Sequence, residues 1–164
     1  MNSSNKPTLK KFLAQFGMSV EVPATILGRS HFIVKERALL SHRPLFSGEL
    51  VAHERGDFLI PSVDLLQKIG KGDRHKVTVN AHGEWLFICG RDVFAKSIVK
   101  HTNPVTEDRV AILNEEGECI GYGQVTAPLD TPGKRPVIAR IFDLGDLLRR
   151  ERKSKKVKDD KGNS

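Results

Sequence analysis

Arg109–Val125, RVAILNEEGECIGYGQV, is the stretch whose reading decides the fold. Two apolar runs, RVAILN and CIGYGQV, flank the polar turn EEGE, which predicts an antiparallel hairpin. Gly121 and Gly123 bracket Tyr122 inside the second run. Glycine within a strand pattern marks a bulge or a close approach of another backbone, a simpler reading here than a cofactor loop. Downstream, the Pro/Gly loop LDTPGKRPV leads to a further strand, VIARIF. Asp143 then reads as the cap of a last helix, DLGDLLRRERKSKK, with Asp146 closing a capping box.

Working upstream, RDVFAKSIVKH predicts a short helix opened by Gly90 and carrying Val93, Phe94, Ile98 and Val99. HKVTVNAHGEWLFI reads as a strand, with Val77, Val79 and Ala81 on one face and Lys76, Thr78 and Asn80 on the other. VDLLQKIG is a short helix stopped by Gly70. LVAHERGDFLI and ATILGRSHFIVK are strand–turn–strand patterns, and ERALLSHRPLF has helical spacing until Pro44 interrupts it. PTLKKFLAQF opens the chain as a helix, with Leu9, Phe12, Leu13 and Phe16 on one stripe and Gly17 as its stop. The pattern changes near Cys89, so a boundary is expected at about 85–90, with an α/β part before it and a small β-rich barrel or sandwich after it. No linker separates them, and the two parts are expected to pack together.

Charge supplies the first functional clue. The 164-residue chain has 27 Lys+Arg against 20 Asp+Glu, a net +7, and the excess sits at the ends. Residues 149–164 hold eight basic and three acidic side chains. At about 100° per residue, Leu144, Leu147 and Leu148 anchor one side of the last helix, while Arg149, Lys153 and Lys156 stack along another. Such a ladder of cations suits successive phosphates of a polyanion, with binding that weakens steeply as salt rises. A solvated last turn, with cations offsetting the helix dipole, explains one or two of these charges but not all of them. Arg91, Lys96 and Lys100 form a second cationic group on the helix expected after Gly90. In the first turn of a helix a cation gains nothing from the dipole, which makes a ligand a reasonable cause for Arg91. Lys134, Arg135 and Arg140 carry less weight. The candidate phosphate-binding set is therefore Arg91, Lys96, Lys100, Arg149, Arg150, Arg152, Lys153 and Lys156. With ten Phe, Tyr and Trp in all, stacking platforms are scarce, and binding is expected to rest on phosphates and shape.

The chain holds no GxSxG, HExxH, Walker or GxGxxG pattern, and its six histidines do not pair at metal-ligand spacing. No catalytic residue, cofactor or metal is expected. Cys89 and Cys119 read as thiols of a reducing compartment. The polar start without a secretory apolar run, and the lack of a membrane-length apolar run, agree with a cytoplasmic location.

The stretch WLFICGRDVFAKSIVKHT, followed by RVAILNEEGECIGYGQV and closing with ARIFDLGDLLRRE, resembles a PUA domain. The IGYG and DLGDLLRRE segments look specifically like the Nip-seven family of ribosome biogenesis factors in a short archaeal form. This resemblance implies an α+β chain. Residues 1–86 would form an α/β pre-PUA domain with antiparallel hairpins, 87–153 a PUA β-barrel closed by a helix, and 154–164 a basic tail. It also implies RNA binding through the PUA domain during pre-rRNA processing and large-subunit assembly, with a uridine-rich preference. The implied partners are the pre-ribosomal particle and processing factors including the exosome, and the chain is expected to be monomeric. The family pattern falls here on Gly90, Arg91, Lys100 and the basic run from Arg149, and the lysine-rich extension after Glu151 departs from it. The competing readings are an RNA-modification enzyme or its accessory subunit, and a protein-interaction adaptor of the RNA-processing machinery.

Overall fold

A computed structural model of the chain describes residues 8–146 and Arg149. Thr8 accepts a hydrogen bond from the Lys11 amide and caps helix α1, Leu9–Ala14, whose Leu9, Phe12 and Leu13 are buried. Four antiparallel strands follow in simple order: β1 (Thr25–Leu27), β2 (Ser30–Ile33), β3 (Glu49–Arg55) and β4 (Phe58–Pro61). Between β2 and β3, Arg37–His42 forms a 3-10 turn that buries none of its residues. Ser62 caps α2, Val63–Gly70, by accepting from the Leu65 amide.

The second sheet has the order β6-β5-β7-β8-β9. Its strands are β5 (Lys76–Val79), β6 (Ile98–His101), β7 (Arg109–Leu113), β8 (Cys119–Val125) and β9 (Ile138–Asp143). β5 and β7 pair in parallel, which requires a crossover, and helix α3 (Ala81–Ile88) lies in the chain between them. The expected β7–β8 hairpin is present, with the turn at 114–118. A Cβ on Gly121 would sit 2.7 Å from Phe87 Cε1 and 2.8 Å from the Asp143 Cα, so the glycine inside β8 answers a close approach. The β8–β9 register also shifts between Tyr122 and Gly123.

Both faces of the second sheet are used. Val77, Val79, Val110, Ile112 and Ile138 meet Phe87 of α3 on one side. Ala111, Leu113, Cys119, Tyr122 and Phe142 face α1, α2 and the first sheet on the other. Phe12 and Phe16 pack edge-on to Tyr122 at 5.5 and 5.6 Å between ring centres. Tyr122 Oη donates to the Leu59 carbonyl at 2.9 Å. Gln67 donates to the Cys119 carbonyl at 2.9 Å and accepts from its amide at 3.0 Å. The two parts of the chain therefore share one apolar layer, as the missing linker suggests. No helix among the described residues is long and apolar enough to cross a membrane.

Four expectations are corrected. The stretch 81–88 is a helix, not the end of a strand, because the Asn80 side chain accepts from the Gly83 amide and caps it. Gly90 ends that helix instead of opening one. Its amide bonds to the Phe87 carbonyl, the Arg91 amide bonds to the Leu86 carbonyl, and φ is +91°, which together make a Schellman stop. Residues 91–101 are consequently not helical. Val93 makes an isolated bridge to Ile138, Ala95–Ser97 is a 3-10 turn, and Ile98–His101 is strand β6, as the β-branched Ile98 and Val99 favour. Asp143 lies in β9, not at a helix start; its carboxylate is bound by two arginines. The second sheet begins at Lys76.

Candidate nucleic-acid interface

Helix α3 ends with no basic residue in its last turn, so its free carbonyls look for donors from elsewhere. Arg140 Nε donates to the Gly90 carbonyl at 3.2 Å, and Arg149 Nη1 donates to the Ile88 carbonyl. Both guanidiniums also grip Asp143, which is fully buried. Arg140 Nη1 lies 2.8 Å from its Oδ2, and Arg149 Nη2 lies 2.6 Å from the same oxygen. Arg149 Nη1 reaches Oδ1 at 2.9 Å. Bonding to Asp143 raises the pKa of Arg149 further above its ordinary value, so its charge is permanent. Gly90 lies against this group. A Cβ there would stand 3.3 Å from the Arg149 guanidinium carbon, so the positive φ and the close contact both select glycine.

This geometry changes the reading of the cations. Arg149, expected on an outward ladder, is turned inward as the tie between the last turn and the end of α3. Arg91 follows a helix C-terminus, where the dipole favours a cation, so its charge has a structural cause that a first-turn position would not supply. Arg91 is exposed, and neither it nor Lys96 or Lys100 has an ion pair among the described residues. Arg91 neighbours Gly90, beside β9. Lys96 lies in the 3-10 turn, and Lys100 lies in β6, the opposite edge strand from β9. The structure thus divides these three residues between two edges and does not gather them on one helix. Arg150, Arg152, Lys153 and Lys156 lie outside the described residues.

Sequence reasoning missed two groups. The Arg140–Asp143–Arg149 cluster lies within ten residues, but a regular strand puts positions three apart on opposite faces, and only the register shift in β9 brings Arg140 and Asp143 together. Lys76 and Thr78 had a signal in the β5 alternation, which placed them on the face opposite the valines, but nothing in that pattern shows the face uncovered. Among the described residues, no group of three or more His, Cys, Asp or Glu could hold a metal ion.

Comparison with known proteins places the second sheet. A curated UPF0113 protein of Archaeoglobus fulgidus is 28% identical over 86 residues, 50% of this chain and 49% of that protein. The match thus spans about half the length of the curated relative. Among solved structures, the chain is similar to a conserved PUA domain protein from Thermoplasma acidophilum, with a TM-score of 0.57 and 22% identity over 86% of this chain and 89% of that one. It is also similar to a PUA domain from Aeropyrum pernix, with a TM-score of 0.54 and 14% identity over 87% and 86% of the two chains. A hypothetical protein from Pyrococcus horikoshii gives a TM-score of 0.51 and 16% identity over 76% and 75%. These likenesses show a shared mixed α+β fold. Residues 75–152, from the start of β5 through the arginine-bound Asp143 and the last turn, match the family model of the UPF0113 PUA domain.

Proposed function

We propose that the protein is a non-catalytic RNA-binding factor of ribosome biogenesis that contacts RNA through residues 75–152. PUA domains bind RNA, and the match of this span to a PUA domain is the observation that carries the reading. The cations Arg91, Lys96 and Lys100, which have no ion pair among the described residues, support it. The basic run Arg150, Arg152, Lys153 and Lys156 adds charge beyond Arg149. The resemblance to the Nip-seven family extends the proposal. Residues ahead of β5 would serve as a pre-PUA layer, the second sheet as a barrel, and the RNA would be pre-rRNA. The partners would be the pre-ribosomal particle and processing factors such as the exosome, met by a cytoplasmic monomer.

The test is RNA binding by the full chain across a salt series, beside an Arg150/Arg152/Lys153/Lys156→Ala variant and an Arg91/Lys96→Ala variant. For every phosphate that a variant no longer neutralises, the slope of log K against log salt should flatten by about 0.7 on a single strand. Wild-type protein that shows no RNA affinity, or one insensitive to salt, would end the proposal. An adaptor role is favoured as a companion reading by Leu45 and Phe46, 89% and 76% exposed on the loop before β3. Loss of a processing partner from a Leu45/Phe46→Ser variant that still binds RNA would support it.

A further inference from the structure

The face of the second sheet that carries the shared apolar layer continues past its cover. In the β5–β7 register Lys76 lies beside Ala111 and Thr78 beside Leu113. Ala111 and Leu113 are buried under the first part of the chain, whereas Lys76 and Thr78 are only half-buried. On the outer side, Thr78 pairs with Lys100, and the Thr102 amide bonds to the Lys76 carbonyl. Lys76, Thr78, Lys100 and Thr102 therefore share one face, opposite the buried Val77 and Val79. Where the cover stops, the face changes from apolar to cationic.

A groove of about 400 Å³ lies there, with the 113–117 turn forming its far wall. Lys76 and Lys100 are diagonal neighbours on adjacent strands, a spacing of roughly 7–8 Å between such positions. Neither has an ion pair among the described residues, and the Thr78 hydroxyl has no hydrogen bond there either. Flexible lysine side chains from two such positions reach a common anion, which screens their mutual repulsion. Leu113 and the exposed Val99 add an apolar wall. Val99 is the extra residue of the β5–β6 register shift. Glu115 also borders the groove and works against a second phosphate following the first. Asn114 is already committed to Glu84 and Glu118.

We propose that this groove holds one nucleotide of a single-stranded RNA, its phosphate between Lys76 and Lys100 and its sugar or base against Val99 and Leu113. The volume is near the small end of the ~300–1,000 Å³ of ligand sites, a size that suits one nucleotide. The inference rests on the RNA-binding proposal and adds to it Lys76 and Thr78.

The experiment titrates the full chain with a labelled single-stranded RNA dodecamer across a salt series. It uses wild type, Lys76/Lys100→Ala, Lys76/Lys100→Arg and Arg91→Ala, with circular dichroism confirming folding of each. The expected result is a salt slope shallower by about 0.7 for the alanine pair, from the one phosphate that the lysines neutralise together, with affinity reduced about tenfold or more at low salt. The arginine pair should keep the slope. Wild type that binds RNA while the alanine pair keeps both affinity and slope overturns the groove and leaves the RNA reading standing. Wild type that binds no RNA overturns both. Uridine monophosphate is titrated in parallel. If it saturates a lysine-dependent site while RNA affinity is indifferent to the lysines, the groove serves a free nucleotide and the proposal is wrong.

Discussion

Tyr122 sits at the centre of the shared layer, with its ring held edge-on by Phe12 and Phe16 and its hydroxyl on the Leu59 carbonyl. Burial pushes its pKa from 10.0 up to about 12, against a smaller lowering by Arg109 and Arg55. Burial likewise pushes the Cys119 thiol from 9.0 up to about 12. Both groups hold their protons in the folded state at pH values where the unfolded chain has released them. Their contribution is intact below about pH 9. The Cys119 contribution falls as pH rises from about 9 toward 12 and that of Tyr122 from about 10 toward 12, each by up to ~1.4 kcal/mol per pH unit. Urea midpoints at pH 8, 9, 10 and 11 should show this loss. Tyr122→Phe should start about 1 kcal/mol lower from the missing hydrogen bond and decline less steeply above pH 10. Parallel declines for wild type and variant would contradict the assignment. The glycine–tyrosine–glycine pattern shows in the sequence that something approaches β8 closely. That the neighbour is Phe87 on one side and two phenylalanines on the other follows only from the packing of distant segments.

At the scale of elements, the hairpins were legible because each strand pair is local and its turn sits between its own two runs. β1–β2, β3–β4 and β7–β8 all fall where the alternation and turn residues place them. Helices were harder wherever a cap outweighed the apolar pattern. WLFI reads as strand until Asn80 is seen as a cap, and Gly90 reads as either a start or a stop until the bonds of the Gly90 and Arg91 amides choose. That one ambiguity reversed the electrostatic meaning of Arg91 and moved Lys100 from a helix to an edge strand. The Arg140–Asp143–Arg149 cluster, masked in sequence by the β9 register shift, is what joins α3 to β9 and the last turn. Asp143→Ala strands two guanidiniums that are themselves partly exposed, so the cost should fall at or below the ~3–5 kcal/mol of a broken buried pair. Arg149→Ala leaves Asp143 its bond to Arg140 and should cost less, about 1.5–3 kcal/mol. A double-mutant cycle by denaturant unfolding should give a coupling well above about 0.5 kcal/mol. A coupling near zero would mean that Arg149 does not engage Asp143 in solution.

For the whole molecule, the question is whether residues 75–152 stand alone. The family match covers only that span, yet the apolar layer that includes Leu113, Tyr122 and Phe142 is completed by Phe12, Phe16, Leu59 and Leu66 from outside it. Removing that cover exposes several large side chains at ~1.5–3 kcal/mol each, together comparable with the ~5–15 kcal/mol stability of a domain. A fragment of residues 75–164 should therefore bind a hydrophobic dye such as ANS and lose its cooperative unfolding transition. The full chain should unfold in one step, with far- and near-ultraviolet circular dichroism coinciding. A fragment that unfolds cooperatively at the full-length midpoint would show instead that the first part is a passenger. Function meets stability at the same edge. The cover that the fragment lacks is what limits the apolar face to β7, β8 and β9. The lysines of β5 and β6 begin where it ends, so a chain that lost its first part would present greasy and cationic surface side by side.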